Sequence, residues 1–284
     1  MLPRSFLYVP GNRPDLFPKA AAGPADAVVL DLEDAVPLPE KAAAREAVRD
    51  RLGSGASAPG SGETWVRVSP TALEDDLDAA VRQGLDGLLL ATVTPAAVRT
   101  VAALLARLEA ERGLVPGSVR VVGLVESAEG LLSLAESAAE ERLTAFGIGE
   151  VDLLGDLRMS RGPATDAAVT HLRTQVVVHS AAAGLEAPVA PTSTDFRDLD
   201  AFAESTRALL DLGFRSRTAV HPAQVPVVHD VLTPTAEQVA DARDLVARFD
   251  AAEGGVTTDA RGRLIDAAVV REAREVLARA ERAG

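Results

Sequence analysis

The chain carries acidic side chains at the places where a metal-assisted reaction would need them. Glu126 ends the apolar run Val121-Val122-Gly123-Leu124-Val125, and Glu150 and Asp152 follow the run Thr144-Ala145-Phe146-Gly147-Ile148-Gly149. Apolar runs bounded by a charge read as buried parallel strands, and ligands collect at the carboxyl ends of such strands. Two strands ending in carboxylates can offer oxygens to a hard divalent cation such as Mg2+. That ion takes one or two protein carboxylates and leaves its other positions to water and substrate. Glu126 and Asp152 are the expected pair, and strand alternation leaves Glu150 open as the second ligand instead. The plain alternative is a set of solvated or salt-bridged rim carboxylates.

A second acidic cluster, Asp31, Glu33 and Asp34, closes the run Ala27-Val28-Val29-Leu30. Crowded carboxylates repel, so the cluster needs a cation, a proton or arginine partners. Glu33 or Asp34 can orient metal-bound water from behind the ligands. Arg67, within Trp65-Val66-Arg67-Val68, is costly among apolar neighbours unless paired, and its planar fork suits a carboxylate. That carboxylate can belong to the strand-two acids, to a substrate, or to both. His221, before Pro222, is a secondary general-base candidate with an ordinary structural role beside it. His171, His179 and His229 receive no role. With no cysteine there is no disulfide, thiolate metal site or Cys nucleophile. No Gly-x-Ser-x-Gly elbow supports a serine hydrolase. No Gly-x-Gly-x-x-Gly turn after an expected strand supports a dinucleotide site.

These residues need a scaffold, and the chain has material for one. Its 284 residues, 47% hydrophobic and only 3% aromatic, suit one large α/β unit with a core of Ala, Val and Leu. A net charge of −13 without a basic cluster argues against nucleic acid, while leaving room for a small anionic substrate where a few Arg or Lys converge. The segment after Met1 lacks a signal-peptide core and no apolar stretch reaches transmembrane length. A soluble, cytoplasmic protein with no membrane partner is expected.

Short apolar runs alternate with amphipathic segments throughout. Strands are expected at 5–9, 27–31, 64–68, 87–91, 119–125, 144–148, 187–190 and 218–220. Helices are expected at 14–22, 39–52, 72–83, 95–112, 130–139, from beyond 152 to near 184, and at 198–212. Eight such units in one chain predict a (β/α)8 TIM barrel over 1–232, with a doubly wound open sheet as the competitor. Two further helices, near 235–250 and 265–283, predict a C-terminal helical extension or lid over 233–284. The Gly/Ser-rich stretch 53–62 reads as a flexible insertion between a helix and a strand, on the barrel face away from the site.

In order, Arg4-Ser5-Phe6-Leu7-Tyr8-Val9-Pro10-Gly11, Asp31-Leu32-Glu33-Asp34-Ala35-Val36, Val66-Arg67-Val68, Leu124-Val125-Glu126-Ser127-Ala128-Glu129-Gly130, Gly149-Glu150-Val151-Asp152-Leu153, His221-Pro222-Ala223-Gln224-Val225 and Gly262-Arg263-Leu264-Ile265-Asp266 make a specific set. The chain resembles the citrate lyase β-subunit-like proteins among the HpcH/HpaI aldolases and malyl-CoA lyases. The resemblance implies a TIM barrel in a homotrimer or hexamer, with Mg2+ on Glu126 and Asp152. It implies a catalytic set of Arg67, Asp266, Glu33 and Asp34, and substrate contacts from Arg67, Arg13, Lys19 and Asp31. Arg13 and Lys19 would lie near the nucleotide of coenzyme A. Asp266 would reach a neighbouring subunit's site and handle the proton on the acetyl-CoA methyl. The implied reaction is reversible cleavage of a carboxylated 3-hydroxyacyl-CoA, such as malyl-CoA or citramalyl-CoA, to acetyl-CoA and a 2-oxo acid. Two alternatives are a malate-synthase or thioesterase outcome from acetyl-CoA plus glyoxylate, and a non-catalytic subunit of a citrate-lyase-like complex. Against the family pattern, Ala91-Thr92 replaces a Pro-Lys pair, Ser69 an asparagine, Ser216-Arg217 a Gly-Lys pair, and Arg158 a turn glycine.

Overall fold

Side-chain alternation builds the wall that holds the site. The computed structural model describes residues 1–53, 62–259 and 261–283. Eight parallel strands close into a barrel in chain order: β1 Ser5–Pro10, β2 Ala27–Asp31, β3 Glu63–Val68, β4 Gly87–Leu90, β5 Arg120–Val125, β6 Leu143–Ile148, β7 Val189–Ala190 and β8 Ser216–Ala219. Phe6, Val29, Trp65, Leu89, Val122 and Leu124 fill the interior, with the Phe6 and Trp65 rings edge to face at 5.1 Å. The alternate residues Val28, Leu30, Val66, Val68, Val121 and Val125 face the helices. Each buried Val or Leu contributes roughly 1.5–3 kcal/mol over its exposed state. A slip of one residue would exchange the two sets, so the register is firmly specified.

The surrounding helices are α1 Phe17–Ala21, α2 Lys41–Gly53, α3 Leu73–Ala80, α4 Pro95–Glu111, α5 Ala128–Leu132, α6 Leu134–Ala138, α7 Glu150–Asp156, α8 Asp166–Ala182 and α9 Leu199–Leu212. Several begin with a side chain that accepts an otherwise orphaned N–H. Thr94 caps α4 by accepting from Ala97 (3.2 Å), and Ser127 caps α5 by accepting from Gly130 (3.0 Å).

The structure corrects several boundaries. The single helix expected after β6 is two, α7 and α8, separated by a turn in which Arg158 takes a left-handed φ of 56° where the family pattern has glycine. The segment 150–152, expected to end a strand, is instead the first turn of α7. The helix expected over 130–139 is split into α5 and α6. β7 keeps two residues, because Pro188 and Pro191 flank it and cannot donate to the ladder. The flexible stretch predicted at 53–62 lies, over 54–61, outside the described residues.

The chain divides into two compact units, Met1–Val228 and His229–Gly284, within α10 Gln224–Leu232. The second unit packs α11 Ala236–Ala251 against α12 Ala267–Ala283. Between them, β9 Thr257–Thr258 and β10 Leu264–Ile265 pair antiparallel, a small hairpin that the sequence reading did not anticipate. Among the described residues no helix is long and apolar enough to cross a membrane.

Candidate active site

The interior alternation continues past the strand ends and delivers polar side chains to one mouth of the barrel. On β2 the inward set Ala27 and Val29 is followed by Asp31, on β3 Trp65 by Arg67, on β1 Phe6 by Tyr8, and on β5 Val122 and Leu124 by Glu126. Asp31 and Arg67 are also register partners across β2 and β3.

Arg67 Nε donates to Asp31 Oδ1 at 2.7 Å and Nη2 to Asp31 Oδ2 at 2.5 Å, while Nη1 lies 3.0 Å from Glu33 Oε2. Its guanidinium sits 5.0 Å over the Tyr8 ring. Burial works against the charge, but the bonds to Asp31 outweigh it and hold Arg67 above its ordinary pKa. Asp31 is 1% exposed and also accepts from the backbone N–H groups of Glu33 and Ala35. Its oxygens are taken up by the chain, so here it orients Arg67 rather than presenting a free face to a ligand. Burial pushes Glu33 up to about 7 despite the pull of Arg67. Burial also raises the Tyr8 hydroxyl well above its usual range.

Glu126 is 8% exposed. Its Oε2 accepts from the Thr92 backbone N–H at 2.7 Å and the Thr92 hydroxyl at 3.2 Å. Oε1 accepts nothing among the described residues and lies against Gly149, where an added Cβ would stand 2.5 Å from it. Burial pushes Glu126 up to about 7; Thr92 and Arg67 oppose this, and Glu33 and Asp152 add to it. Asp152, in the first turn of α7, is raised by burial and then by Asp34. Thus Glu126, Asp152, Glu33 and Asp34 act on one another across the mouth, with Arg67 as the cation facing them.

Glu150 takes no part. The outward set of β6, Phe146 and Ile148, carries it away from the mouth, and it is 2% exposed in ion pairs with Arg173 (2.6 Å) and Arg161 (2.5 Å). That overturns Glu150 as an alternative ligand. No group of three or more His, Cys, Asp or Glu could by itself hold a metal among the described residues. A pair of carboxylates still suits Mg2+, which keeps several positions for water and substrate. The unengaged Oε1, seated where Gly149 leaves room for the Glu126 side chain, and the mutual repulsion of the acids both fit a cation at Glu126 and Asp152.

The other expected residues are more dispersed. Arg13 is exposed after β1 and paired with Asp15 at 2.9 and 2.8 Å, and Lys19 is exposed on α1. Asp266 belongs to the second unit, where Oδ1 caps α12 by accepting from Ala268 (2.9 Å) and Val269 (3.0 Å). The His221 ring stacks on Phe196, and its Nδ1 accepts from the Ala223 N–H at 3.2 Å, which fits the structural reading. Sequence reasoning missed Tyr8 and Thr92. Counting alternation from Phe6 would have found Tyr8; nothing in the residue type announces Thr92, whose main contribution is a backbone N–H.

Residues 4–222 match the HpcH/HpaI aldolase/citrate lyase family. The citrate lyase subunit beta of Escherichia coli (strain K12) is 32% identical, over 99% of this chain and 94% of that protein. An L-malyl-CoA/beta-methylmalyl-CoA lyase of Cereibacter sphaeroides is 31% identical, over 98% of this chain and 94% of that protein. The crystal structure of CitE from Mycobacterium tuberculosis, in complex with magnesium, acetoacetate and coenzyme A, aligns with a TM-score of 0.78 at 30% identity, covering 98% of both chains.

Proposed function

The chain belongs to the HpcH/HpaI aldolase/citrate lyase family, and from that premise we propose a Mg2+-dependent carbon–carbon lyase. Its substrate would be a carboxylated 3-hydroxyacyl-CoA of the malyl-CoA or citramalyl-CoA type, cleaved reversibly to acetyl-CoA and a 2-oxo acid. The observation that carries the reading is the buried Glu126 carboxylate, whose Oε1 is unengaged beside Gly149 within the group formed by Asp152, Glu33 and Arg67.

Mg2+ on Glu126 and Asp152 would supply Lewis-acid polarisation of the substrate's hydroxyl and carboxylate oxygens. Arg67, fixed by Asp31, would grip the oxo-acid end and stabilise the charge that builds on its oxygen. Glu33, near 7 and so suited to proton transfer at neutral pH, would take the hydroxyl proton. The carbon–carbon bond then breaks, and its electron pair passes into the thioester as the enolate of acetyl-CoA. Asp266 would return a proton to that carbon, Asp34 would order water at the rim, and Arg13 and Lys19 would meet the phosphates of coenzyme A.

Replacing Glu126→Gln keeps the shape and removes the charge. Turnover of malyl-CoA with Mg2+ should fall by at least about 100-fold, and calorimetric Mg2+ binding should disappear. Unchanged activity would overturn the scheme. The likeness to a citrate lyase subunit favours one second reading, a subunit acting on an acyl-carrier partner. Failure of the isolated wild-type chain to turn over any CoA thioester would select it.

A further inference from the structure

The outward alternation that removes Glu150 from the mouth helps to assemble a second group of charges. Glu150 is one carboxylate shared by two arginines, Arg161 and Arg173. On β8, Arg217 also turns outward and is 3% exposed. Its Nε donates to the Pro191 carbonyl (3.2 Å), and Nη1 to the Phe202 carbonyl (3.0 Å) and to the hydroxyls of Ser205 (3.0 Å) and Thr206. The guanidinium carbon lies 3.9 Å from the centre of the Phe202 ring. None of these partners is a carboxylate, and Nη2 meets no acceptor among the described residues. Burial, followed by the repulsion of Arg173, pulls Arg217 down to about 9 against the attraction of Glu150.

Arg161, Arg173 and Arg217 all line a cavity of about 290 Å3 in the first unit, at the carboxyl end of β7. Thr192 lines it too, and its buried Oγ1 has no hydrogen-bond partner. On the inner wall the largely buried Arg173 and Arg217 outnumber the one buried carboxylate, Glu150, and the half-exposed Arg161 stands at the rim. Asp195 and Asp198 also line the cavity, but both are exposed and accept from the backbone N–H groups of Arg197, Asp198 and Ala201. Water and salt screen such exposed charges far more than the buried ones.

We propose that this cavity is a binding site for a small oxyanion, a carboxylate or phosphate group, separate from the Glu126–Asp152 mouth. Arg217 Nη2 and Arg161 would supply charge-assisted hydrogen bonds, and the Thr192 hydroxyl the remaining donor. The buried Arg217, hydrogen-bonded to no carboxylate, and the orphaned hydroxyl are then two halves of one unfilled demand. None of the lining residues belongs to the proposed lyase machinery, so the inference stands apart from that reading.

The test is calorimetric titration of orthophosphate and, separately, succinate into metal-free Glu126→Gln protein at constant ionic strength. In that background the mouth cannot contribute a metal-dependent signal. Saturable binding is expected, weakened about tenfold or more by Arg161→Gln. Arg161 is half exposed, so that variant should fold; Arg217→Gln is the second variant, scored only where its melting remains cooperative. Binding of phosphate alone assigns a phosphate ligand, and binding of succinate alone a carboxylate. Binding of neither, or binding unchanged by Arg161→Gln, overturns the proposal.

Discussion

Thr92 adopts a φ of 47°, a left-handed conformation that β-branched residues rarely accept and that costs roughly 1–3 kcal/mol. It turns the Thr92 N–H onto Glu126 Oε2 and leaves Oε1 for a ligand. A cation at Oε1 must displace the proton that burial favours there. Below about pH 7, where Glu126 is increasingly protonated, Mg2+ affinity should therefore fall about tenfold per pH unit. Above it the affinity should level off. Calorimetry in buffers of different ionisation enthalpy should find a proton released near pH 6 and almost none near pH 8.5; an affinity flat across that interval would contradict the assignment. The same raised pKa has the opposite sign for stability without metal. Glu126 favours the fold below its ordinary value of 4.5, and that contribution is lost as pH rises towards about 7. Asp31 offers a separate measurement. Asp31→Ala leaves the largely buried Arg67 with Glu33 alone, and should lower stability on the order of 3 kcal/mol in denaturant melts. The pairing of Arg67 with the strand-two acids was legible from its apolar neighbours, which make a lone charge expensive. The support from Thr92 was not, because a backbone N–H exposed by an unusual φ leaves no trace in residue type.

At the scale of elements, the turn from β6 into α7 decides which carboxylate enters the mouth. Sequence alone left Glu150 and Asp152 open because strand alternation was carried one segment too far. The strand stops at Ile148, Glu150 keeps its outward parity, and the helical first turn gives Asp152 a different direction. Gly149 is the hinge of that decision, since a Cβ there would lie 2.4–2.8 Å from the Glu126 carboxylate arm. Its φ of −86° suits alanine, so Gly149→Ala should fold with little loss of cooperativity. The displaced Glu126 should weaken Mg2+ binding about 10- to 100-fold, as loss of a supporting contact does at other metal sites. Retained affinity would mean that Glu126 is not held in the position described. The short β7 was legible in kind, because Pro188 and Pro191 limit a ladder; the break between α7 and α8 was also marked, by the turn pair Gly162-Pro163, which the expectation of one long helix passed over.

For the whole molecule, the barrel was legible because eight apolar runs alternate with amphipathic segments, a pattern that closes only when each strand has a helix to cover its outer face. What alternation cannot express is whether the second unit takes any part in the chemistry. Asp266 caps α12 through Oδ1 in that second unit, and the resemblance assigns it to a neighbouring subunit's site. If sites are completed in that way, two inactive variants can repair each other. Glu126→Gln supplies an intact Asp266, and Asp266→Asn supplies an intact Glu126, so a mixed oligomer contains sites with both. Co-expressing the two under separate tags, and isolating particles that carry both, should recover a measurable fraction of wild-type malyl-CoA cleavage. Each variant alone should remain at least about 100-fold down. If Asp266 instead acts within its own chain, every site in the mixture retains one lesion and nothing is recovered. The mixing experiment therefore reads out subunit sharing directly, and light scattering on the same sample reports how many chains take part.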